Sequence, residues 1–337
     1  MSQRPLRFLV PGTGDRFRCG GLSVELQTAR LCAGLSPAVE LVTYRCRERG
    51  RPFLSDLLAQ EHSPGEALWI VSWGFHVPAL LRQLRGRPVA YHAHSSRYGF
   101  DLPPGVPVLA VSRNTMGYWG DRAPRSPIQW VPNPLDPAFT PPAPGAQRPV
   151  DVLVQLRKTS GYVREQLLPA LRRAGLRVEL QQGWVEDLAA LVRSTKVLLY
   201  DSADHWRRAG VSEGFGLPPL EALASGCVVF SSLNHALADS LDPGRLAWQL
   251  GRGTLSADLE RIAAAVAQPA AWQPDPAALA RLLAQHQEPA VRQRWREALV
   301  VVNDHWDRLL AGEQPLRAPA PWRLRWGRRL SRLRGSS

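Results

Sequence analysis

Short apolar runs alternate with segments of helical periodicity along the first part of the chain. The run at 6–10 predicts a strand that ends at Pro11, and the segment at 22–35 predicts a helix because its apolar residues recur on one face. Further strands are predicted at 39–44, 68–72, 88–92 and 106–112. Strands that alternate with helices in this way are typical of a parallel sheet covered by helices on both faces.

A proline-rich segment at 132–149 interrupts the alternation and is too rich in proline for a helix or a strand. A second alternating series follows it. Strands are predicted at 150–155, 176–181, 196–200 and 227–231, helices near 161–174, 185–194 and 218–225, and a loop between 200 and 218. The pattern predicts two doubly wound α/β domains, hinged near 140–148, with a cleft between the carboxyl ends of their strands.

These boundaries divide the chain into four parts. The first domain is placed at 1–145 and the second at 146–287. A long amphipathic helix follows at 288–312, closed by Gly312, and a basic segment at 313–337. Two domains of this size fall in the usual range for independent cores.

Composition excludes a disordered chain, because 45% of the residues are hydrophobic. The formal net charge is +13, carried almost entirely by arginine, and seven arginines with no acidic residue follow Glu313. Mixed with Trp and Leu, this tail has two interpretations: peripheral contact with an anionic membrane, or a disordered, solvated terminus. The rest of the chain gives little reason to expect a nucleic-acid partner.

The four cysteines are widely spaced and form no Cys-x-x-Cys pair, so we expect reduced thiols and no metal cluster. The amino terminus has no apolar export signal, and no apolar stretch approaches the roughly 20 residues that span a bilayer. We therefore expect a cytoplasmic protein, at the inner face of the membrane if the tail binds there.

The segment at 212–226 carries the most chemical information. Gly214 and Gly216 allow close backbone approach and unusual φ angles, and Pro218 and Pro219 suit the first positions of a helix. Free N–H groups and the dipole at a helix start form an anion site suited to a diphosphate.

Two glutamates flank this turn, Glu213 in the loop and Glu221 placed in the first turn of the helix. Carboxylates there can accept hydrogen bonds from sugar hydroxyls. The alternative is a capped loop with a surface glutamate, and a glycine-rich loop alone does not decide between the two interpretations.

The run from Glu213 to Gly226, EGFGLPPLEALASG, resembles the signature of family 4 retaining glycosyltransferases of the GT-B fold, with two glutamates separated by seven residues. The resemblance implies two Rossmann-like domains facing a central cleft. It implies transfer of a sugar from a nucleotide-diphosphate sugar to an acceptor (glycan, lipid or small molecule), with retention of configuration. It places Glu213 by the donor sugar and Glu221 at the ribose hydroxyls. The loop residues Gly214, Phe215, Gly216 and Leu217 join the donor-binding set.

Other segments extend the resemblance over most of the chain. Gly20 and Gly21 resemble the family's glycine loop near the diphosphate and acceptor, although an ordinary strand-to-helix turn has the same pattern. The run at 91–95 resembles the family segment in which a histidine points at the donor sugar. His94 is preferred for this role, and His92 is the alternate. The competing interpretation is that these histidines are structural. The segment at 131–136 resembles the family's entry to the interdomain linker, with Pro134 in place of the usual glycine.

Two adjacent cations follow the strand at 150–155, whereas the family usually spaces an arginine and a lysine about five residues apart. Arg157 is preferred as the diphosphate ligand over Lys158. Trp184 falls where the family holds the nucleotide base, and it either stacks on the base or packs.

No Asp-x-Asp motif occurs, which argues against a fold that binds the diphosphate through a divalent ion, so we predict no metal and no cofactor. The alternatives are a nucleotide-sugar epimerase of the same fold and a non-catalytic glycan-binding or regulatory subunit. A dinucleotide dehydrogenase is disfavoured because no Gly-x-Gly-x-x-Gly follows the first strand.

Overall fold

A six-stranded parallel sheet forms the first domain in the computed structural model, which describes residues 3–60, 63, 65–72, 74–251, 253–315 and 326. Its strands are β1 (Leu6–Val10), β2 (Val39–Thr43), β3 (Leu68–Val71), β4 (Val89–Ala93), β5 (Val108–Ala110) and β6 (Ile128–Trp130), in the order β2-β1-β3-β4-β5-β6. Its helices are α1 (Gly20–Leu31), α2 (Leu54–Gln60), α3 (Val77–Gln83) and α4 (Arg113–Arg122), with single 3-10 turns at Asp15–Phe17 and Gly74–His76.

The second domain is built on a five-stranded parallel sheet in the order β11-β10-β9-β7-β8. The strands of its described residues are β7 (Val150–Gln155), β8 (Val178–Gln181), β9 (Thr195–Tyr200), β10 (Val228–Ser231) and β11 (Trp248–Gln249). The α-helices that follow β7 in the chain are α5 (Leu168–Arg173), α6 (Leu188–Arg193), α7 (Ala203–Ala209), α8 (Leu217–Ala224), α9 (Leu237–Ser240), α10 (Leu255–Ala267), α11 (Pro276–Ala284) and α12 (Glu288–Leu310). A 3-10 turn covers Leu156–Lys158, another covers Pro269–Trp272, and a π-helical turn, Val163–Leu167, precedes α5.

Both sheets reverse their direction of winding between the first and third strands, β1 and β3 in one domain and β7 and β9 in the other. In open α/β sheets the carboxyl ends at such a reversal form the ligand crevice. The two crevices of this chain are therefore fixed by topology before any side chain is considered.

Central strands of covered parallel sheets are apolar on both faces, and β3 shows this with all four residues buried. On one face of the first sheet, Trp69 and Tyr91 belong to a core that also includes residues of α3 and α4. On the other face, Phe8 and Ile70 pack in one core with Trp295 of α12. The last long helix thus returns to the first domain after the second domain has been completed.

The predicted α/β architecture is confirmed, and the strand bounds differ from prediction by no more than about two residues. The prediction of a loop over 201–217 is wrong in part, because this interval contains α7. That helix buries none of its residues, so it has no apolar periodicity to reveal it. Helices α2, α3 and α4, strand β6 and the elements between 232 and 287 were not predicted; β6 is short and only partly buried.

Among the described residues, no helix is both long enough and apolar enough to cross a membrane. The basic segment 313–337, for which membrane contact and a solvated terminus were both open interpretations, lies almost wholly outside the described residues.

Candidate functional site

The two domains touch through serine side chains at the carboxyl ends of their strands. Ser95 and Ser96 follow β4, and Ser212 precedes the glycine-rich loop; all three are buried. Ser95 Oγ donates to the Ser212 carbonyl at 2.5 Å, and Ser96 N donates to Ser212 Oγ at 3.0 Å. Ser212 N donates in turn to the Ser96 carbonyl at 3.2 Å. These bonds hold the glycine-rich loop against the first domain.

Two glycines determine the backbone path of this loop. A Cβ at Gly214 would lie 1.5 Å from the His94 carbonyl oxygen, so the loop meets the β4 end backbone to backbone. Gly216 caps α8 with a φ of +91°, in the left-handed region that favours glycine. The close backbone approach predicted for these glycines is therefore present at Gly214, and the unusual φ angle is present at Gly216.

One carboxylate oxygen of Glu213 is contacted by three side chains. Its Oε2 accepts hydrogen bonds from Tyr200 Oη at 2.5 Å and from Trp206 Nε1 at 2.6 Å. Lys158 Nζ lies 3.6 Å from the same oxygen, and the residue is buried. Within the described part of the chain, Oε1 has no hydrogen-bond partner. That oxygen can accept a hydrogen bond from a ligand.

Lys158 is the cation of this cluster. Its Nζ donates to Tyr200 Oη at 3.1 Å and lies 4.7 Å from the centre of the Trp206 ring. Burial lowers the pKa of Lys158, the charge of Arg157 lowers it further, and Glu213 opposes both. Arg157 is exposed and makes no hydrogen bond or ion pair with another described residue. The sequence preferred Arg157, and the structure joins Lys158 to Glu213.

Glu221 lies at the start of the second turn of α8, because the helix begins at Leu217 rather than one residue later. The first-turn position expected from the sequence is therefore wrong by a residue. Burial raises the pKa of Glu221 to about 7; the charge of Asp136 adds to the shift, while Lys158 opposes it. Glu221, Lys158 and Glu213 thus share one electrostatic environment.

The two predicted histidines have different surroundings. His92 is buried, with its ring 5.2 Å from that of Trp295, and burial lowers its pKa. His94 follows β4 and keeps 17% of its side chain exposed. Both rings hydrogen-bond to Glu25 of α1, which the sequence did not single out: His92 Nδ1 at 2.8 Å and His94 Nε2 at 2.6 Å.

Glu25, His92 and His94 also have the spacing of metal ligands, since their donor atoms lie within 4.8 Å of one another. Both ring nitrogens already hydrogen-bond to the same carboxylate oxygen. The set is therefore satisfied internally, and the absence of a metal stays a prediction.

The remaining predicted residues differ in their exposure and in their contacts. Gly20 and Gly21 begin α1 and are exposed, with open space beside Gly20. Trp184 is 62% exposed, and the Arg18 guanidinium of the first domain lies 5.4 Å from its ring centre. Phe215 packs edge-on against His286 at 5.2 Å, and Leu217 is the partly buried first residue of α8.

Sequence reasoning missed the partners that hold the predicted residues. Tyr200 ends a predicted strand, and a polar aromatic residue at a carboxyl strand end is a usable signal. Trp206 lies on the unpredicted α7, and Glu25 lies one turn after a recognised Gly-Gly pair; neither position carries a local signal of its contacts.

No family model matches the chain, and no curated protein is significantly similar to it in sequence. Solved structures are similar in fold. HepE of Anabaena, solved with UDP and glucose, has a TM-score of 0.59 at 14% identity over 92% of this chain and 100% of its own. A glycosyltransferase from Rickettsia africae has a TM-score of 0.61 at 11% identity, covering 90% and 99%. AviGT4, a glycosyltransferase involved in Avilamycin A biosynthesis, has a TM-score of 0.56 at 17% identity, covering 92% and 99%.

Identities this low establish architecture alone. The fold is GT-B, with two Rossmann-like domains facing a central cleft, as the sequence predicted.

Proposed function

We propose that this protein transfers a sugar from a nucleotide-diphosphate sugar to an acceptor hydroxyl. The observation that carries the proposal is the convergence of three charged side chains at the carboxyl ends of the strands and opposite His94: Lys158 after β7, Glu213 before α8 and Glu221 within α8. The neighbouring HepE structure contains UDP and glucose, which supports a donor of this chemical class.

The diphosphate is the part of the donor that needs positive charge. In the proposed complex it lies against the backbone N–H groups of Gly216 and Leu217 at the entry to α8, because Pro218 and Pro219 have no N–H, with Lys158 and Arg157 beside it. Cations and oriented dipoles placed where the leaving group gains negative charge lower the barrier to cleavage of the glycosidic bond. Because Lys158 is already largely desolvated, its charge acts with little screening.

The two carboxyls hold the rest of the donor. Glu213 presents its unengaged Oε1 to a hydroxyl of the donor sugar, while Tyr200 and Trp206 fix its other oxygen. Glu221 takes the ribose hydroxyls. With a pKa of about 7 this carboxyl is only partly ionised near neutral pH, and a hydrogen-bonded ribose favours its ionised form.

The proposed transfer retains the anomeric configuration of the sugar and needs no metal ion. The resemblance of the run from Glu213 to Gly226 to family 4 enzymes supports retention. The cations at 157 and 158 supply the charge that a divalent ion provides in other transferases. Closure through Ser95, Ser96 and Ser212 excludes water, which otherwise competes as an acceptor.

A screen of nucleotide-sugars by thermal shift and by slow donor hydrolysis tests the proposal without knowledge of the acceptor. One donor should raise Tm and release free sugar. Glu213→Gln should lower that hydrolysis by roughly 100-fold or more, because it removes charge from the site of the reaction. Glu179→Gln, an exposed glutamate of β8, is the matched control and should hydrolyse the donor at the wild-type rate.

Two results would replace the proposal with its alternatives. Conversion of the donor into its epimer without an acceptor identifies an epimerase. Binding of a glycan with no turnover of any donor, unchanged in Glu213→Gln, identifies a binding subunit.

A further inference from the structure

A buried carboxylate joins the two histidines at the end of β4. Glu25, on α1, is only 2% exposed. Its Oε1 accepts from His92 Nδ1 at 2.8 Å and from His94 Nε2 at 2.6 Å, and the two rings are 4.2 Å apart between centres. These three side chains form what we call the Glu25 triad.

The electrostatics of the Glu25 triad decide where its protons are. Burial raises the pKa of Glu25, but the two histidines more than offset this and hold the pKa below its usual range, so the carboxylate is ionised at neutral pH. No lysine or arginine within the described residues forms an ion pair with it. A buried carboxylate without such a cation is tolerated only if N–H donors satisfy it. Both rings must therefore direct an N–H group at Oε1.

For a ring that is neutral, this requirement assigns which nitrogen carries the proton. His92 carries its proton on Nδ1, and His94 carries its proton on Nε2. The nitrogen left without a proton on His94 is Nδ1, which has no hydrogen-bond partner among the described residues. His94 is also the partly exposed member of the triad, and its carbonyl lies against Gly214 of the loop before α8.

We propose that Glu25 is a positioning residue: it fixes His94 in the Nε2–H form, so that the Nδ1 lone pair accepts a hydrogen bond from a sugar hydroxyl in the cleft. The inference rests on the proposed function for the identity of the ligand. The arrangement of protons within the Glu25 triad does not depend on that function and can be measured directly.

The first test is spectroscopic and uses the full chain labelled with ¹⁵N-histidine at pH 8. Long-range ¹H–¹⁵N spectra, assigned with His92→Gln and His94→Gln, should show an Nδ1–H form for His92 and an Nε2–H form for His94. His92 is the sharper probe, because free histidine favours the other neutral form. An Nε2–H form for His92, or an Nδ1–H form for His94, overturns the inference even if no variant of Glu25 folds.

The second test is kinetic and uses Glu25→Gln, which keeps the shape of the side chain and removes its charge. In folded Glu25→Gln, His92 should lose the pure Nδ1–H form. The kcat for donor hydrolysis should fall roughly 10- to 100-fold, as is typical when a group that orients a functional histidine is altered, with the donor KM changed by less than about 3-fold. Glu297→Gln, an exposed glutamate of α12, is the control and should match the wild type.

The outcomes separate this inference from the proposed function. If the wild-type protein hydrolyses a donor and Glu25→Gln equals it in kcat and in histidine spectra, the positioning role is wrong while the transferase proposal stands. If no donor is turned over but both proton assignments hold, the proposed function fails and the triad geometry stands. Stoichiometric zinc uptake that abolishes both N–H signals would show a metal site and overturn the positioning role.

Discussion

A methyl group at position 214 has no room in the closed protein. The Cβ of Gly214→Ala would lie 1.5 Å from the His94 carbonyl oxygen, 2.5 Å from the His94 carbonyl carbon and 2.9 Å from Ser95 Cα. All three atoms belong to the backbone of the other domain, so no side-chain rotation relieves the contact. The loop or the domains must separate by about 2 Å to restore ordinary van der Waals distance.

A separation of that size breaks the serine contacts two residues away. Five hydrogen bonds join Ser212 to Ser95 and Ser96, and three of these have a backbone donor or acceptor. At about 1 kcal/mol each, the loss of the three bonds with backbone groups costs roughly 3 kcal/mol of closure free energy. If the closed form is the reactive one, kcat/KM for donor hydrolysis falls by roughly 100-fold.

The assay pairs donor hydrolysis with small-angle X-ray scattering, which measures the opening of the cleft. Gly214→Ala should increase the radius of gyration and lose activity together. Gly117→Ala in α4, where an added Cβ meets nothing within 4 Å, is the control and should leave both unchanged. Wild-type scattering and wild-type kcat/KM in Gly214→Ala would refute the reasoning.

Two further predictions concern single hydrogen-bonded groups. Tyr200→Phe removes one of the two hydrogen bonds that Glu213 Oε2 accepts, so kcat/KM for hydrolysis of the sugar donor should fall about 10-fold or more. An unchanged kcat/KM would show that this hydrogen bond does not orient the carboxylate. Burial lowers the pKa of His286 to about 4. Between this value and the ordinary histidine pKa of about 6.5, the imidazole binds a proton in the unfolded chain but not in the folded chain. The folded state therefore loses stability as the pH falls through this window. Between pH 7 and pH 5 the free energy of unfolding, measured by urea denaturation, should fall by about 2 kcal/mol more in the wild type than in His286→Asn. Equal losses in the two proteins would contradict a lowered pKa for His286.

The architecture was predictable because parallel strands with two covered faces leave continuous apolar runs. Strand β7 was placed at its observed bounds for this reason, since its interior residues are buried. Helix α7 was not, because a helix that buries none of its residues has no apolar face, and so Trp206 could not be recognised as a partner of Glu213.

The site was predictable to the level of its loop and not to the level of its contacts. The order of Glu213, Gly214 and Gly216 before a proline-started helix is local, so the sequence carries it. The choice between Arg157 and Lys158 depends on a 3-10 turn that directs adjacent side chains differently. The contact of Glu25 with His94 joins residues 69 positions apart, and its existence depends on how α1 lies on the sheet.

Calorimetric titration with nucleoside diphosphates tests the central claim most directly, because the chain has only two lysines and they lie at opposite ends of the same sheet. Lys158 lies by the cleft, whereas Lys196 pairs with Asp151 at 2.7 Å near the amino ends of β7 and β9. One nucleoside diphosphate should bind the wild type, with Kd raised about 10-fold or more in Lys158→Gln and nearly unchanged in Lys196→Gln. Binding of none of them, or equal binding by the wild type and Lys158→Gln, would contradict a donor diphosphate held before α8.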